Sequence, residues 1–133
     1  MEFMLDTNIC IYIIKQKPRE VLDRFNECKI GDIGISSITL AELQYGASKS
    51  LHPQKNIHAL NEFVAPLEIA VFEEQAAQYY GEVRALLEKR GTPIGSMDTL
   101  ICAHAVSLGV TLVTNNVREF RRIKDLSLVN WAV

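Results

Sequence analysis

Phe3-Met4-Leu5-Asp6-Thr7-Asn8 is three apolar residues running into a polar turn, after which residues 9–14 continue as a short helix. A strand that delivers its chain into a helix, with an acid at the junction, is the first half of a crossover unit. The same pattern returns downstream. Ile33-Gly34-Ile35 reads as a second buried strand, and Ser36 or Ser37 caps a helix over 38 to about 48. Between these two strands, Pro18 suits the first turn of a helix reaching about Cys28, striped by Val21, Leu22 and Phe25. A helix over 53–64 is stopped by Pro66, residues 67–71 form a third strand, and the longest helix spans 73–90, closed by Gly91. Ser96 opens a helix that ends at Gly109. Residues 111–114 make a fourth strand and 128–130 a weaker fifth. Strands separated by helices need crossover connections. The expectation is a three-layer α/β/α fold around a central, mostly parallel five-stranded sheet, built by residues 1–133 as one domain.

Composition agrees with that class. The chain has 133 residues, 48% of them hydrophobic and 23% charged, with seven glycines, four prolines and no repeat, which excludes collagen-like and low-complexity proteins. No apolar run approaches the ~20 residues of a membrane helix. No signal peptide is expected ahead of Phe3, so the cytoplasm is the expected compartment. Three cysteines, Cys10, Cys28 and Cys102, have no metal-type spacing and an odd count; reduced thiols are expected, with Cys10 and Cys102 in the core. Fourteen basic residues against sixteen acidic ones leave a net charge of −2, without the basic footprint of a nucleic-acid binder. A phosphate-bearing partner would be met by a local patch or through a metal ion.

In an open parallel sheet, ligands bind beyond the C-terminal ends of the strands. Asp6 closes the first strand and Glu42 lies in the first turns of the helix after the second. Asp98 lies in the first turn of the Ser96 helix, and Asn115, Asn116 and Glu119 follow the fourth strand. Helical spacing aligns Glu42 with Ile38, Ala41 and Tyr45, and Asp98 with Ile101, Cys102 and Ala105, so both acids are expected to face inward. Each acid alone reads as a turn, a cap or a surface charge. Four from separate segments on one edge repel one another unless a cation neutralises them. An oxygen-only set suits Mg²⁺ or Mn²⁺. Such an ion activates water and offsets phosphoryl charge, so metal-dependent phosphodiester hydrolysis is the expected chemistry. Lys15, Lys17 and Arg19 around the first helix, with Arg118, Arg121, Arg122 and Lys124 after the fourth strand, form a candidate RNA track. Single-stranded RNA, with its accessible bases, is favoured over duplex. His52, His58 and His104 have no ligand spacing and read as surface or core residues.

These residues resemble the PIN-domain family: Met4-Leu5-Asp6-Thr7-Asn8, then Ser36-Ser37-Ile38-Thr39-Leu40-Ala41-Glu42-Leu43 with Gly46, then Asp98, then the run from Leu112 through Asn115-Asn116 and Glu119 to Phe120. The motifs fall in order over the whole chain, which is most similar to the VapC-type toxins of bacterial VapBC toxin–antitoxin pairs. That resemblance implies a Mg²⁺- or Mn²⁺-dependent endoribonuclease of the bacterial cytoplasm. Asp6, Glu42 and Asp98 match the family's acids. Its fourth acid, often Asp, is Glu119 here, with Asn116 beside it as the alternative. The resemblance also implies that Thr7, Asn8, Ser37 and Thr114 orient the carboxylates through hydrogen bonds. It implies a homodimer held inactive by a cognate VapB-type antitoxin whose tail enters the groove, in a larger assembly that touches DNA only through the antitoxin. The implied substrate is tRNA, with the initiator tRNA anticodon loop as one target in the family.

Two other readings compete. A phosphatase of the haloacid dehalogenase type would use an Asp at the end of the first strand as nucleophile, but its second Asp, two residues on, is Asn8 here. A non-catalytic RNA- or protein-binding module of the PIN fold would be expected to have lost pocket acids, and this chain keeps all four. No Gly-rich phosphate loop follows the first strand, which excludes a dinucleotide-binding domain.

Overall fold

The computed structural model describes all 133 residues. In chain order they form β1 (Phe3–Leu5), α1 (Thr7–Lys15), α2 (Arg19–Glu27), a 3-10 turn (Ile30–Asp32), β2 (Ile33–Ser36), α3 (Ser37–Ser48), α4 (Pro53–Val64), β3 (Glu68–Ala70), α5 (Glu74–Lys89), α6 (Ser96–Leu108), β4 (Thr111–Val113), α7 (Val117–Phe120) and β5 (Ser127–Val129). The five strands make one sheet in the order β3-β2-β1-β4-β5, parallel throughout. From β1 the chain steps outward through β2 to β3, then returns to the other side of β1 for β4 and β5. The order therefore reverses beside β1, where Met4 pairs with Gly34 on one side and Leu112 on the other. A crevice opens at such a reversal, beyond the strand ends.

Alternation along the strands builds two cores. Leu5, Val113, Ile33 and Ile35 face one layer, packing with Ile9, Cys10 and Ile13 of α1, Val21 of α2, Leu43 of α3 and Leu60 of α4. Met4 and Leu112, one residue back in each strand, face the other layer with Leu87 of α5, Ile101, Cys102 and Ala105 of α6, and Phe120 of α7. The three-layer expectation holds. Gly34 is required where β2 passes β3: a Cβ there would lie 2.7 Å from the Glu68 carbonyl oxygen and 2.5 Å from Met1 Cε. Gly109 ends α6 in the left-handed region at φ +66°, the usual role of glycine after a helix. No helix is long and apolar enough to cross a membrane.

The structure departs from the sequence reading at a few points. Pro18 stands just before α2 rather than inside its first turn. Of the two adjacent serines, Ser36 is the cap of α3, its Oγ accepting the Ile38 N–H at 3.0 Å. The helix α7 and the 3-10 turn were not expected, both being too short to show a period.

Candidate active site

Asp6 is set by the junction that opens the sequence. It caps α1, its Oδ1 accepting the Ile9 N–H at 2.9 Å. The cap fixes the carboxylate at the C-terminal end of the central strand, where it is only 6% exposed. Burial pushes its pKa up to about 6, and the charges of Asp98 and Glu42 add to that rise; hydrogen bonds from Thr114 and the Ile9 N–H oppose it. Asp98, half-buried in the first turn of α6, is also raised, first by burial and then by the charges of Glu42 and Glu119. Its neighbours on the inward stripe, Ile101, Cys102 and Ala105, are buried as their spacing requires. Asp6 thus lies in the field of Asp98 and Glu42, and Asp98 in that of Glu42 and Glu119, although they come from four segments.

Glu42 reaches this edge by a different route from the one its spacing suggests. Ala41 is exposed and Tyr45 is 65% exposed, so the stripe of Ile38, Ala41 and Tyr45 is not the buried face of α3. Thr39, Leu43 and Ala47 form that face. Glu42 flanks it, half-buried, and accepts a 2.6 Å hydrogen bond from the Thr7 hydroxyl in the first turn of α1. Glu119 and Arg118 sit on α7, with Glu119 half-buried and Arg118 exposed. None of the four acids forms an ion pair with a basic side chain.

The supporting polar residues divide. Thr7 holds Glu42, and Thr114, fully buried, lies against Asp6. The Asn116 N–H donates to Thr114 Oγ1 at 3.0 Å, so the main chain of the β4–α7 loop backs the same group. Asn8 is exposed and its side chain makes no hydrogen bond within the chain. Ser37 does not orient an acid: its Oγ accepts the Phe72 N–H at 3.1 Å and ties α3 to the segment after β3. It is turned that way because Ser36 already occupies the capping position. Lys15, Arg118, Arg121 and Arg122 are exposed, and Arg122 donates to the Pro93 carbonyl at 3.3 Å. His52 and His58 lie on the surface; His104 is buried and bonds Ser36 Oγ through Nδ1 at 2.8 Å. Cys10 and Cys102 are buried free thiols.

One contact was not legible from spacing. Asn115 Nδ2 donates to the Tyr12 hydroxyl at 2.8 Å, joining α1 to the loop that follows β4. The available signal was a tyrosine three residues ahead of Lys15, hence on the same side of the helix. A groove of about 300 Å³ runs between α1, α3 and α4, lined by Ile11, Ile14, Leu43, Ala59 and Leu60 together with Thr7, Lys15 and Glu42.

A divalent cation fits this donor set. The unpaired carboxylates are oxygen-only ligands at a partly solvated edge, and the buried Asp6 has no cationic partner to neutralise it. No group of three or more His, Cys, Asp or Glu side chains is drawn together into a preformed metal site. Oxygen-only donors of this kind are those of Mg²⁺ and Mn²⁺ sites.

Comparison with known proteins points the same way. The family model for the PIN domain matches residues 3–126. The chain is 47% identical over 131 residues to the tRNA(fMet)-specific endonuclease VapC of Salmonella typhimurium, covering 98% of each. Its fold superimposes on the crystal structure of DNA-bound VapBC from Salmonella typhimurium with a TM-score of 0.93 at 46% identity, covering 98% of each chain. VapBC2 from Rickettsia felis bound to a fragment of its promoter gives a TM-score of 0.90 at 46% identity, covering 98% of this chain and 99% of that one.

Proposed function

The chain belongs to the PIN-domain family, and we propose that it is the toxin of a bacterial VapBC pair, a divalent-metal-dependent endoribonuclease that blocks translation by cutting tRNA in the cytoplasm. The observation that carries this reading is the unpaired acid cluster at the β1 reversal, with Asp6 pushed up to about 6 by burial and by like charge. Nothing in the chain itself neutralises it.

Asp6, Glu42, Asp98 and Glu119 are the proposed ligands of Mg²⁺ or Mn²⁺ and the proposed catalytic acids, with Asn116 the alternative to Glu119 at the fourth position. The bound ion would supply the positive charge that offsets the scissile phosphate and makes water a better nucleophile. The protein's own residues do the remaining work. Asp6 is locked by the α1 cap, so its carboxylate stays at the strand end while substrate comes and goes. Thr7 holds Glu42 and Thr114 braces Asp6. Lys15, Arg118, Arg121 and Arg122 flank the edge and attract the RNA backbone, which this net-acidic chain cannot do as a whole. The tRNA(fMet) specificity of the Salmonella relative makes initiator tRNA the first substrate to try.

The partner is a VapB-type antitoxin. Its tail would lie in the apolar groove between α1, α3 and α4, whose lining includes Thr7 and Glu42. The proposed assembly is a toxin homodimer joined to antitoxin, with DNA contacted through the antitoxin.

The test is cleavage of total cellular RNA by the purified chain with Mg²⁺, with Mn²⁺ and with EDTA, alongside Asp6→Ala. Discrete cuts that need both metal and Asp6 are expected, and mapping their ends names the substrate. Absence of cuts from a folded, metal-binding, antitoxin-free chain would make it a non-catalytic binding module.

A further inference from the structure

Adjoining the groove, with which it shares Ile11 and Lys15, is an open pocket of about 380 Å³ lined also by Tyr12, Lys17 and Pro18. It adds a ring and a second lysine to the groove's lining. An aromatic ring is flanked by two lysines, neither of which forms an ion pair. Tyr12 packs against the core cluster of α1–α4 and remains half-exposed. Its hydroxyl is held by Asn115 at 2.8 Å. The ring is therefore anchored from behind and at its tip before any ligand arrives, so little side-chain freedom is left to lose on binding.

The pocket is also tied to the acids. Asn115 follows Thr114, which bonds Asp6, so the chain of contacts runs from Asp6 through Thr114 and Asn115 to Tyr12. Tyr12 lies six residues beyond Asp6, an axial rise of roughly 9 Å along α1.

We propose that this pocket is a nucleotide subsite, in which an unpaired base stacks on Tyr12 while Lys15 and Lys17 take the phosphates on either side of it. An aromatic platform with flanking cations is the usual way to hold single-stranded nucleic acid without reading its sequence. A paired base has no free face to offer, so the subsite selects loops and other unstacked segments. This inference rests on the ribonuclease reading and adds to it a preference for unpaired RNA.

The test is fluorescence anisotropy with a short unstructured oligoribonucleotide, using the full chain carrying Asp6→Asn to prevent cleavage. Tyr12→Ala should weaken binding roughly 5- to 150-fold, the range for loss of one base–aromatic stack. Tyr12→Phe, which keeps the ring and loses only the Asn115 bond, should retain most of the affinity. Tyr12→Leu keeps bulk against the core and serves if the alanine variant fails to fold; it should lose RNA affinity at an unchanged melting temperature. Lys17→Ala should flatten the salt dependence by about 0.7 in log–log slope, the value of one single-strand phosphate contact. Equal affinity for Tyr12→Leu and the parent would overturn the subsite, as would a Tyr12→Phe loss as large as the Tyr12→Ala loss. Unchanged RNA binding with weakened capture of a VapB-type antitoxin would assign the pocket to the protein partner and also overturn it. Cleavage of bulk tRNA by the otherwise unaltered chain is scored in parallel. If that chain neither binds nor cuts RNA, the ribonuclease reading and the subsite fall together; if it cuts while Tyr12→Leu binds normally, only the subsite falls.

Discussion

The Thr7 hydroxyl donates to Glu42 Oε1 at 2.6 Å, joining the first turn of α1 to the second turn of α3. This bond aims a long, flexible carboxylate that would otherwise swing into solvent. Thr7→Val keeps the shape of the side chain and removes the donor. Groups that orient metal ligands in this way are worth about 10- to 100-fold in affinity or activity. Mn²⁺ binding measured by titration calorimetry should weaken within that range while the melting temperature barely moves. Unchanged Mn²⁺ affinity would show that Glu42 is aimed by something else.

Asp6 makes the metal-free protein pH-dependent in a direction opposite to ordinary acid denaturation. Its pKa is about 6 in the fold and 3.8 for an ordinary aspartate, so between those values the folded chain holds a proton that the unfolded chain has released. Stability therefore rises as pH falls through that window, and above pH 6 the buried charge costs roughly 3 kcal/mol. Asp6→Asn removes the charge and keeps a competent helix cap. In EDTA at pH 8 the variant should melt higher than the parent, the gap closing toward pH 4, and Mg²⁺ should no longer stabilise it. A variant that melts lower at pH 8 without metal would contradict the uncompensated charge.

Asp98 reports whether Glu119 belongs to the cluster. Burial is the main reason that its pKa is raised, followed by Glu42 and then Glu119. Glu119→Gln should lower the Asp98 pKa, read by carboxyl-carbon NMR titration, and weaken Mn²⁺ binding less than Asp6→Ala does. If the Asp98 titration stays in place, the fourth position passes to Asn116.

His104 adds a second pH effect of opposite sign. Its Nδ1 lies 2.8 Å from the Ser36 hydroxyl, which also accepts the Ile38 N–H. Burial lowers the His104 pKa below its usual 6.5. The unfolded chain then takes the proton first, and stability is lost as pH falls below 6.5. His104→Leu should erase that loss while lowering stability at neutral pH by about 1–3 kcal/mol, because the buried Ser36 hydroxyl loses its side-chain partner. Thermal melts across pH 5–8, in the Asp6→Asn background to remove the competing effect, make the measurement. An acid slope that persists in His104→Leu would point to another titrating group.

Much of this molecule is legible along the chain because each strand is short, apolar and closed by a polar residue. Asp6 could be placed because the cap and the strand end coincide at one residue. Asp98 could be placed because Ile101, Cys102 and Ala105 form an unbroken apolar stripe behind it. Glu42 reached the right edge for the wrong reason: Thr39 takes a core position on α3 while Ala41 and Tyr45 face solvent, so hydrophobic spacing misjudged the buried face. Ser36 and Ser37 are adjacent and chemically alike, and only the turn of the backbone decides which one caps. The Tyr12–Asn115 bond spans two distant segments and has no local signature. The helix carrying Glu119 is four residues long, too short for a period.

β1 lies at the centre of the sheet and precedes the other four strands in the chain, yet one of the two neighbours that flank it, β4, comes fourth of the five. During synthesis Asp6 waits beside an open strand edge, without Thr114 behind it and without Glu119 across from it. The parallel pairing of β1 with β4 cannot form until most of the chain has been made. A nascent copy, or one clipped ahead of β4, therefore carries Asp6 without Asp98's partner Glu119 and without Thr114. The acids of the candidate site meet only once the last quarter of the chain has docked against its first strand.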